Sequence, residues 1–271
     1  MISCKEYVTL RKEELKERVA NFKRAPKLCV IQIGDNSASN SYIKGKQKDC
    51  TELGISYEHI HIKDYDDFEE RDLLNLINRL NWDSSVDGII VQLPIPDKYN
   101  VKRVQKAIAQ EKDVDGFRKD SDFTPCTPKG IMDYLDYNGV ELAGKECVVI
   151  GRSEIVGKPL VNLLIDRGAT VVSCNSKTPD IKRFTMFSDI VISAIGKANY
   201  FYESDFATEF IEQILIDVGI NRDENGKLCG DITERAKENA ILATPVPNGV
   251  GLLTRLALME NTIEAYTNFY D

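Results

Sequence analysis

With 271 residues, 42% of them hydrophobic and 29% charged, the chain has the makeup of a folded globular protein and is long for one compact unit, which favours two domains or one large α/β unit. A formal net charge of -8 argues against a general nucleic-acid or membrane-surface binder, because phosphate binding rests on clustered Lys and Arg. Seven scattered cysteines without a CxxC pair read as a reduced chain with no zinc site; neither a run of about 18 apolar residues nor a signal sequence is seen, so the expected location is cytoplasmic.

Ser3 to Phe22 has the spacing of an amphipathic helix, closed by Pro26. Apolar runs at Lys27 to Gly34, Ser56 to Ile62 and Val86 to Leu93 then alternate with helical stretches near Ser39 to Leu53 and Phe68 to Leu80. Strand and helix in alternation imply a parallel sheet covered by helices. The alternation restarts after Thr127-Pro128, with a helix at Lys129 to Tyr137. Strands are expected at Glu146 to Ile150, Ala169 to Cys174, Asp189 to Ile195, Gln213 to Val218 and Ala240 to Ala243. A long helical pattern from Gly251 to Tyr270 ends the chain and is expected to pack on the first domain. The fold class is α/β with two domains, each built on a parallel sheet, the second Rossmann-like.

The strand Glu146 to Ile150 runs into Gly151-Arg152-Ser153-Glu154-Ile155-Val156-Gly157-Lys158-Pro159 and then a helix-like Leu160 to Arg167. A glycine at a strand end permits a tight turn, a small Ser153 lets backbone approach a pyrophosphate, and a helix N-terminus supplies N–H groups. The pattern departs from GxGxxG, and a plain structural corner fits it about as well. Where NAD-type folds place a carboxylate for the ribose, the chain reads Cys174-Asn175-Ser176-Lys177. Without that carboxylate, and with Arg152 and Lys177 nearby, the electrostatics lean to NADP, with NAD possible; both cations also fit plain solvated surface charges.

Tyr42 and Lys46, four apart, share a helix face, though an exposed lysine beside a half-buried tyrosine reads the same way. Gln92 stands at the carboxyl end of a buried run, where α/β sheets place ligands, and is either catalytic or a loop cap. Asp115 before Gly116 either forms a turn or, placed in a cleft, accepts hydrogen bonds from the donor edge of a ligand. Thr244 to Gly251 is either a rigid loop near cofactor or a domain crossover.

Seven segments occur together in order: YIKGK, DGIIVQLPIP, KDVDGF, CTPKGI, GRSEIVGKP, IDVGINR and TPVPNGVG. On these the chain resembles the methylenetetrahydrofolate dehydrogenase/cyclohydrolase family over essentially its whole length. The resemblance implies oxidation of 5,10-methylene-tetrahydrofolate by NADP and hydrolysis of the methenyl product to 10-formyl-tetrahydrofolate in the same cleft, with no metal. It implies that Lys46 is the essential lysine, that Tyr42 packs on the folate, that Gln92 supports the lysine and that Asp115 anchors the pterin. Gly151, Arg152, Ser153, Ser176, Ile220 and Thr254 then meet the nucleotide, and Pro247 and Gly251 join Tyr42, Lys46, Gln92 and Asp115 at the substrate. The implied domains are 1–117 with 252–271 for folate and 118–251 for the nucleotide, in a homodimer formed through the nucleotide domains.

The residue types suit this chemistry. Hydride loss leaves a cationic methenyl group, so unpaired positive charge around it is unfavourable. A partly desolvated lysine can hold or move a proton during attack by water, and a glutamine orients it without forming an ion pair. The chain departs from the family pattern at Asn248 and Leu252, where glycine and proline are usual, and at Asn175 and Arg118, where histidine is common. Three other readings remain: a monofunctional NAD-dependent methylenetetrahydrofolate dehydrogenase, a non-catalytic folate- or nucleotide-binding protein, and an amino-acid dehydrogenase of similar two-domain layout, for which no carboxylate-binding or ammonium-handling residues are identified.

Overall fold

The computed structural model describes residues 1–207 and 212–270, with the side chains of residues 38, 269 and 270 left aside. The chain forms two compact units, Leu10–Cys126 with Arg255–Asp271, and Met1–Thr9 with Thr127–Thr254.

In the first of these, β1 (Lys27–Ile33) is the middle strand of a three-stranded parallel sheet, between β2 (Ser56–Ile62) and β3 (Gly88–Val91). β1 is buried from Leu28 to Ile33, with Gln32 the one polar residue among them, whereas β2, at an edge, is only partly covered and mixes polar with apolar residues along its length. The sheet is flanked by α2 (Ser37–Leu53), α3 (Glu70–Trp82) and α4 (Val101–Ala107). α3 turns Leu73, Ile77 and Leu80 at helical spacing onto Ile31, Ile89 and Val91.

α1 (Cys4–Ala20) and the last helix, α9 (Val250–Tyr270), both contribute residues to this unit. As the sequence implies, α9 packs here from Arg255 on: Met259 Sδ lies 3.5 Å from Cys50 Sγ, and Asn261 Nδ2 donates to the Val114 and Thr124 carbonyls at 2.9 and 3.2 Å.

The other unit is a five-stranded parallel sheet. Its strands are β4 (Glu146–Ile150), β5 (Thr170–Cys174), β6 (Ile190–Ser193), β7 (Ile214–Asp217) and β10 (Leu242–Ala243), in the order β10-β7-β6-β4-β5. The helices are α5 (Cys126–Tyr137), α6 (Gly157–Asp166), α7 (Lys182–Thr185) and α8 (Glu234–Lys237). A small antiparallel pair, β8 (Asn221–Arg222) with β9 (Leu228–Cys229), and the three short helices α4, α7 and α8 are elements the periodicity does not signal, because two to seven residues complete too few periods.

The first nine residues, expected within 1–117, group with α5: Tyr134 Oη donates to the Ile2 carbonyl at 2.8 Å, and the Tyr7 ring lies 5.6 and 4.9 Å from those of Tyr134 and Tyr137. Residues 118–126, expected in the nucleotide domain, group with the three-stranded unit, where the turn at Gly116 (φ 70°) presses against Phe123 and Pro125. Asp113 is buried in that turn and accepts from the Arg118 amide at 2.8 Å. Burial pushes its carboxyl up to about 6, more than that hydrogen bond lowers it.

Replacing Ile77 by Ala should lower the unfolding free energy by about 2–5 kcal/mol, measured by denaturant unfolding. Because Asp113 binds its proton more tightly folded than unfolded, its stabilising contribution is full below the ordinary value of 3.8 and is lost as pH rises through about 6. Asp113→Asn removes this dependence, so the variant should gain up to about 3 kcal/mol relative to the parent between pH 4 and pH 7, read by denaturant titrations across that range.

Candidate functional site

In the three-stranded unit, α2 carries Tyr42 and Lys46 one turn apart, and Gln92 lies one residue beyond β3. The Gln92 amide donates to the Ile31 carbonyl at 2.8 Å, continuing the ladder and fixing where its side chain leaves the sheet. Lys46, only 8% exposed, donates from Nζ to Gln92 Oε1 at 3.0 Å, while Gln92 Nε2 donates to the Leu93 carbonyl at 2.9 Å. Both polar atoms of the Gln92 amide are therefore engaged, and the lysine cation meets a neutral oxygen.

Tyr42 is 37% exposed; burial pushes its phenol up, opposed by the positive charge of Arg255. Asp115 is half-buried in the turn before Gly116, and no hydrogen bond among the described residues joins its carboxylate to Lys46, Tyr42 or Gln92. The turn reading accounts for Gly116, where a Cβ would lie 2.7 Å from the Pro125 nitrogen, and leaves the carboxylate of Asp115 to other use.

In the five-stranded unit several of the candidate residues sit beyond the carboxyl ends of strands. Gly151 (φ 116°) follows β4, and its amide donates to the Cys174 carbonyl at 2.9 Å. A Cβ at Gly151 would collide with the Ala194 carbonyl oxygen, and one at Gly157 with the Gly151 carbonyl oxygen. The two glycines thus let strand, turn and helix approach at backbone distance, the later position of the second glycine notwithstanding. Ser153 Oγ accepts from the Val156 and Gly157 amides at 3.2 and 3.3 Å, so this serine shapes the entry to α6.

Arg152, Ser176 and Lys177 are exposed around this turn, and no carboxylate occupies Cys174 to Lys177. Asn175 Oδ1 accepts from the Lys177 amide at 3.0 Å, the local bonding that suits a short polar side chain.

Ile220, 48% exposed, follows β7, and Gly251 at the start of α9 faces it, a Cβ there reaching 3.6 Å from Ile220 Cδ1. Pro247 is exposed; Asn248 has φ 73°, a conformation that asparagine tolerates better than most residues, so its presence where the family pattern has glycine keeps the loop's backbone available. Thr254 shares a hydrogen bond with Thr127 at 3.0 Å between their hydroxyls.

Two arrangements escape sequence reading because their partners are far apart along the chain. Asp231 is fully buried. Its carboxylate accepts from Ser193 Oγ, the Ile195 and Lys197 amides and Asn221 Nδ2 at 2.8–3.0 Å, tying together the segments that leave β6 and β7. Beside it, Asp217 pairs with Lys237 at 3.0 Å; burial raises its carboxyl and the lysine opposes this. In the other unit Asp49 lies between Lys12 Nζ at 2.6 Å and Arg255 Nε at 3.1 Å. The close glycines Gly219 and Gly230 are the sequence's one trace of the first cluster.

The catalytic-domain model of the tetrahydrofolate dehydrogenase/cyclohydrolase family matches residues 2–115, and its NAD(P)-binding-domain model matches residues 125–270. The chain is 41% identical to the bifunctional protein FolD of Lysinibacillus sphaericus (strain C3-41), over 99% of this chain and 97% of that one. Among solved structures it is similar to the bifunctional enzyme FolD of Campylobacter jejuni, with a TM-score of 0.93 and 40% identity over 98% of both chains. It is also similar to the Trypanosoma brucei methylenetetrahydrofolate dehydrogenase-cyclohydrolase complexed with NADP and inhibitor, with a TM-score of 0.91 and 30% identity over 99% of this chain and 97% of that one. Two domain models in order and relatives matched almost end to end establish that the chain belongs to the tetrahydrofolate dehydrogenase/cyclohydrolase family.

Proposed function

We propose that the chain oxidises 5,10-methylene-tetrahydrofolate to the 5,10-methenyl form with NADP and hydrolyses that product to 10-formyl-tetrahydrofolate. The observation that carries this reading is Lys46, nearly buried and held by the neutral amide of Gln92. A lysine so placed holds or moves the proton released as water adds to the methenyl carbon, and the amide fixes its direction without cancelling its charge. Tyr42 packs on the folate from the same helix face, Asp115 bonds the pterin, and Pro247 and Gly251 complete the substrate contacts.

The residues present fit the nucleotide: the backbone approach that Gly151 and Gly157 permit makes room for a pyrophosphate beside α6. Gly151, Arg152, Ser153, Ser176, Ile220 and Thr254 hold it, and NADP supplies the hydride acceptor. Arg152 and Lys177, with no carboxylate between Cys174 and Lys177, favour a 2'-phosphate over a free ribose hydroxyl. The folate domain is assigned to 1–117 with 252–271 and the nucleotide domain to 118–251, apart from residues 1–9, 118–126 and 252–254, which group with the other unit. The protein works in the cytoplasm as a homodimer formed through the nucleotide domains; family resemblance supports this, as do the exposed rings of Phe187, Tyr200 and Tyr202 there. No described helix is long and apolar enough to cross a membrane.

Lys46→Met should abolish hydrolysis of methenyl-tetrahydrofolate while leaving NADP affinity within about twofold, followed by the methenyl absorbance and by calorimetric titration; full hydrolysis in the variant would remove the assigned role. A comparison of kcat/KM should favour NADP over NAD, and a clear preference for NAD would overturn the electrostatic argument at Ser176.

A further inference from the structure

The face of α2 that carries Tyr42 and Lys46 continues to Gly45 and Asp49, three or four residues apart. Arg255, on α9, lies across this face. Any Cβ on Gly45 would collide with its guanidinium, and its Nε sits 3.1 Å from Asp49 Oδ2. The Asp49 side chain is only 3% exposed, and its other oxygen meets Lys12 Nζ at 2.6 Å; Lys12 in turn meets Glu52 at 2.7 Å. Lys12, Arg255, Asp49 and Glu52 together carry no net charge, whereas Lys46 beside them bonds to a neutral amide. The field of Arg255 reaches Tyr42, whose phenolate it stabilises against burial.

We propose that Arg255 and Asp49 are positioning residues for the folate chemistry: the guanidinium braces the Tyr42–Lys46 face at Gly45, and the carboxylate cancels its charge. This rests on the reading of Tyr42 and Lys46 given above. The cancellation matters because oxidation of the methylene carbon builds a positive charge on the folate, which an unpaired guanidinium nearby would oppose. Hydrolysis removes that charge, so an unpaired guanidinium does not hinder it in the same way. Brace and charge therefore act on different observables, the first on substrate affinity and the second on the rate of oxidation.

The test measures dehydrogenase activity and, separately, hydrolysis of supplied methenyl-tetrahydrofolate without nucleotide, in the full-length protein. Asp49→Asn should lower the dehydrogenase kcat about tenfold while hydrolysis stays within about threefold. Adding Arg255→Met to it should restore the dehydrogenase kcat to within about threefold of the parent and leave KM for the folate raised several-fold. Arg255→Met alone should raise that KM several-fold with kcat little changed, and it decides the matter if Asp49→Asn does not fold. Equal loss of both activities in Asp49→Asn, a double variant slower than the single one, or an Arg255→Met enzyme with the parent's KM overturns the proposal. Absence of both activities from the parent would instead overturn the functional reading on which it rests.

Discussion

Parallel strands covered on both faces leave polar side chains few places to emerge. β1, β3, β4, β6 and β7 are buried along nearly their whole lengths, so the candidate site residues that follow these strands stand where the strands end. Gln92 stands one residue past β3, Gly151 one past β4, and Ile220 in the segment that leaves β7. The same constraint explains the close glycine contacts. When several strands deliver their loops to one edge, backbones meet there without room for side chains, as Gly151 does with Ala194 and Gly157 with Gly151.

Burying charge is costly unless it is bonded, and the buried charged groups here meet that cost in different ways. Asp231 is surrounded by backbone and side-chain donors, and Asp217 accepts from the Asp231 and Ile232 amides and pairs with a lysine. These carboxylates hold loops in place. Lys46 has the neutral amide of Gln92 as its partner, with no carboxylate joined to it among the described residues. The contrast between a fully partnered carboxylate and a lightly partnered lysine is one that burial alone does not draw.

Much of this was readable from the sequence where a single element carries the signal. The apolar runs gave β2 and β4 to the residue, and the four-residue spacing of Tyr42 and Lys46 was enough to place them on one face of α2. Contacts made by chain segments remote from each other were not readable, because no period connects them: Asp49 with Arg255, or Asp231 with the ends of β6 and β7. The boundary between units shifted for a related reason. Tyr7 pairs with the rings of α5, and nothing in the amphipathic pattern of the first helix names that partner.

The two hydrogen bonds of the Gln92 amide have a joint consequence. Its oxygen is committed to Lys46 and its nitrogen to the Leu93 carbonyl. Rotating the amide by half a turn would set an N–H group against an ammonium and an oxygen against an oxygen, losing both bonds at once. The side chain therefore has a polarity as well as a position, imposed by the backbone of the residue that follows it. Through that single carbonyl the main chain dictates that the lysine always faces an acceptor.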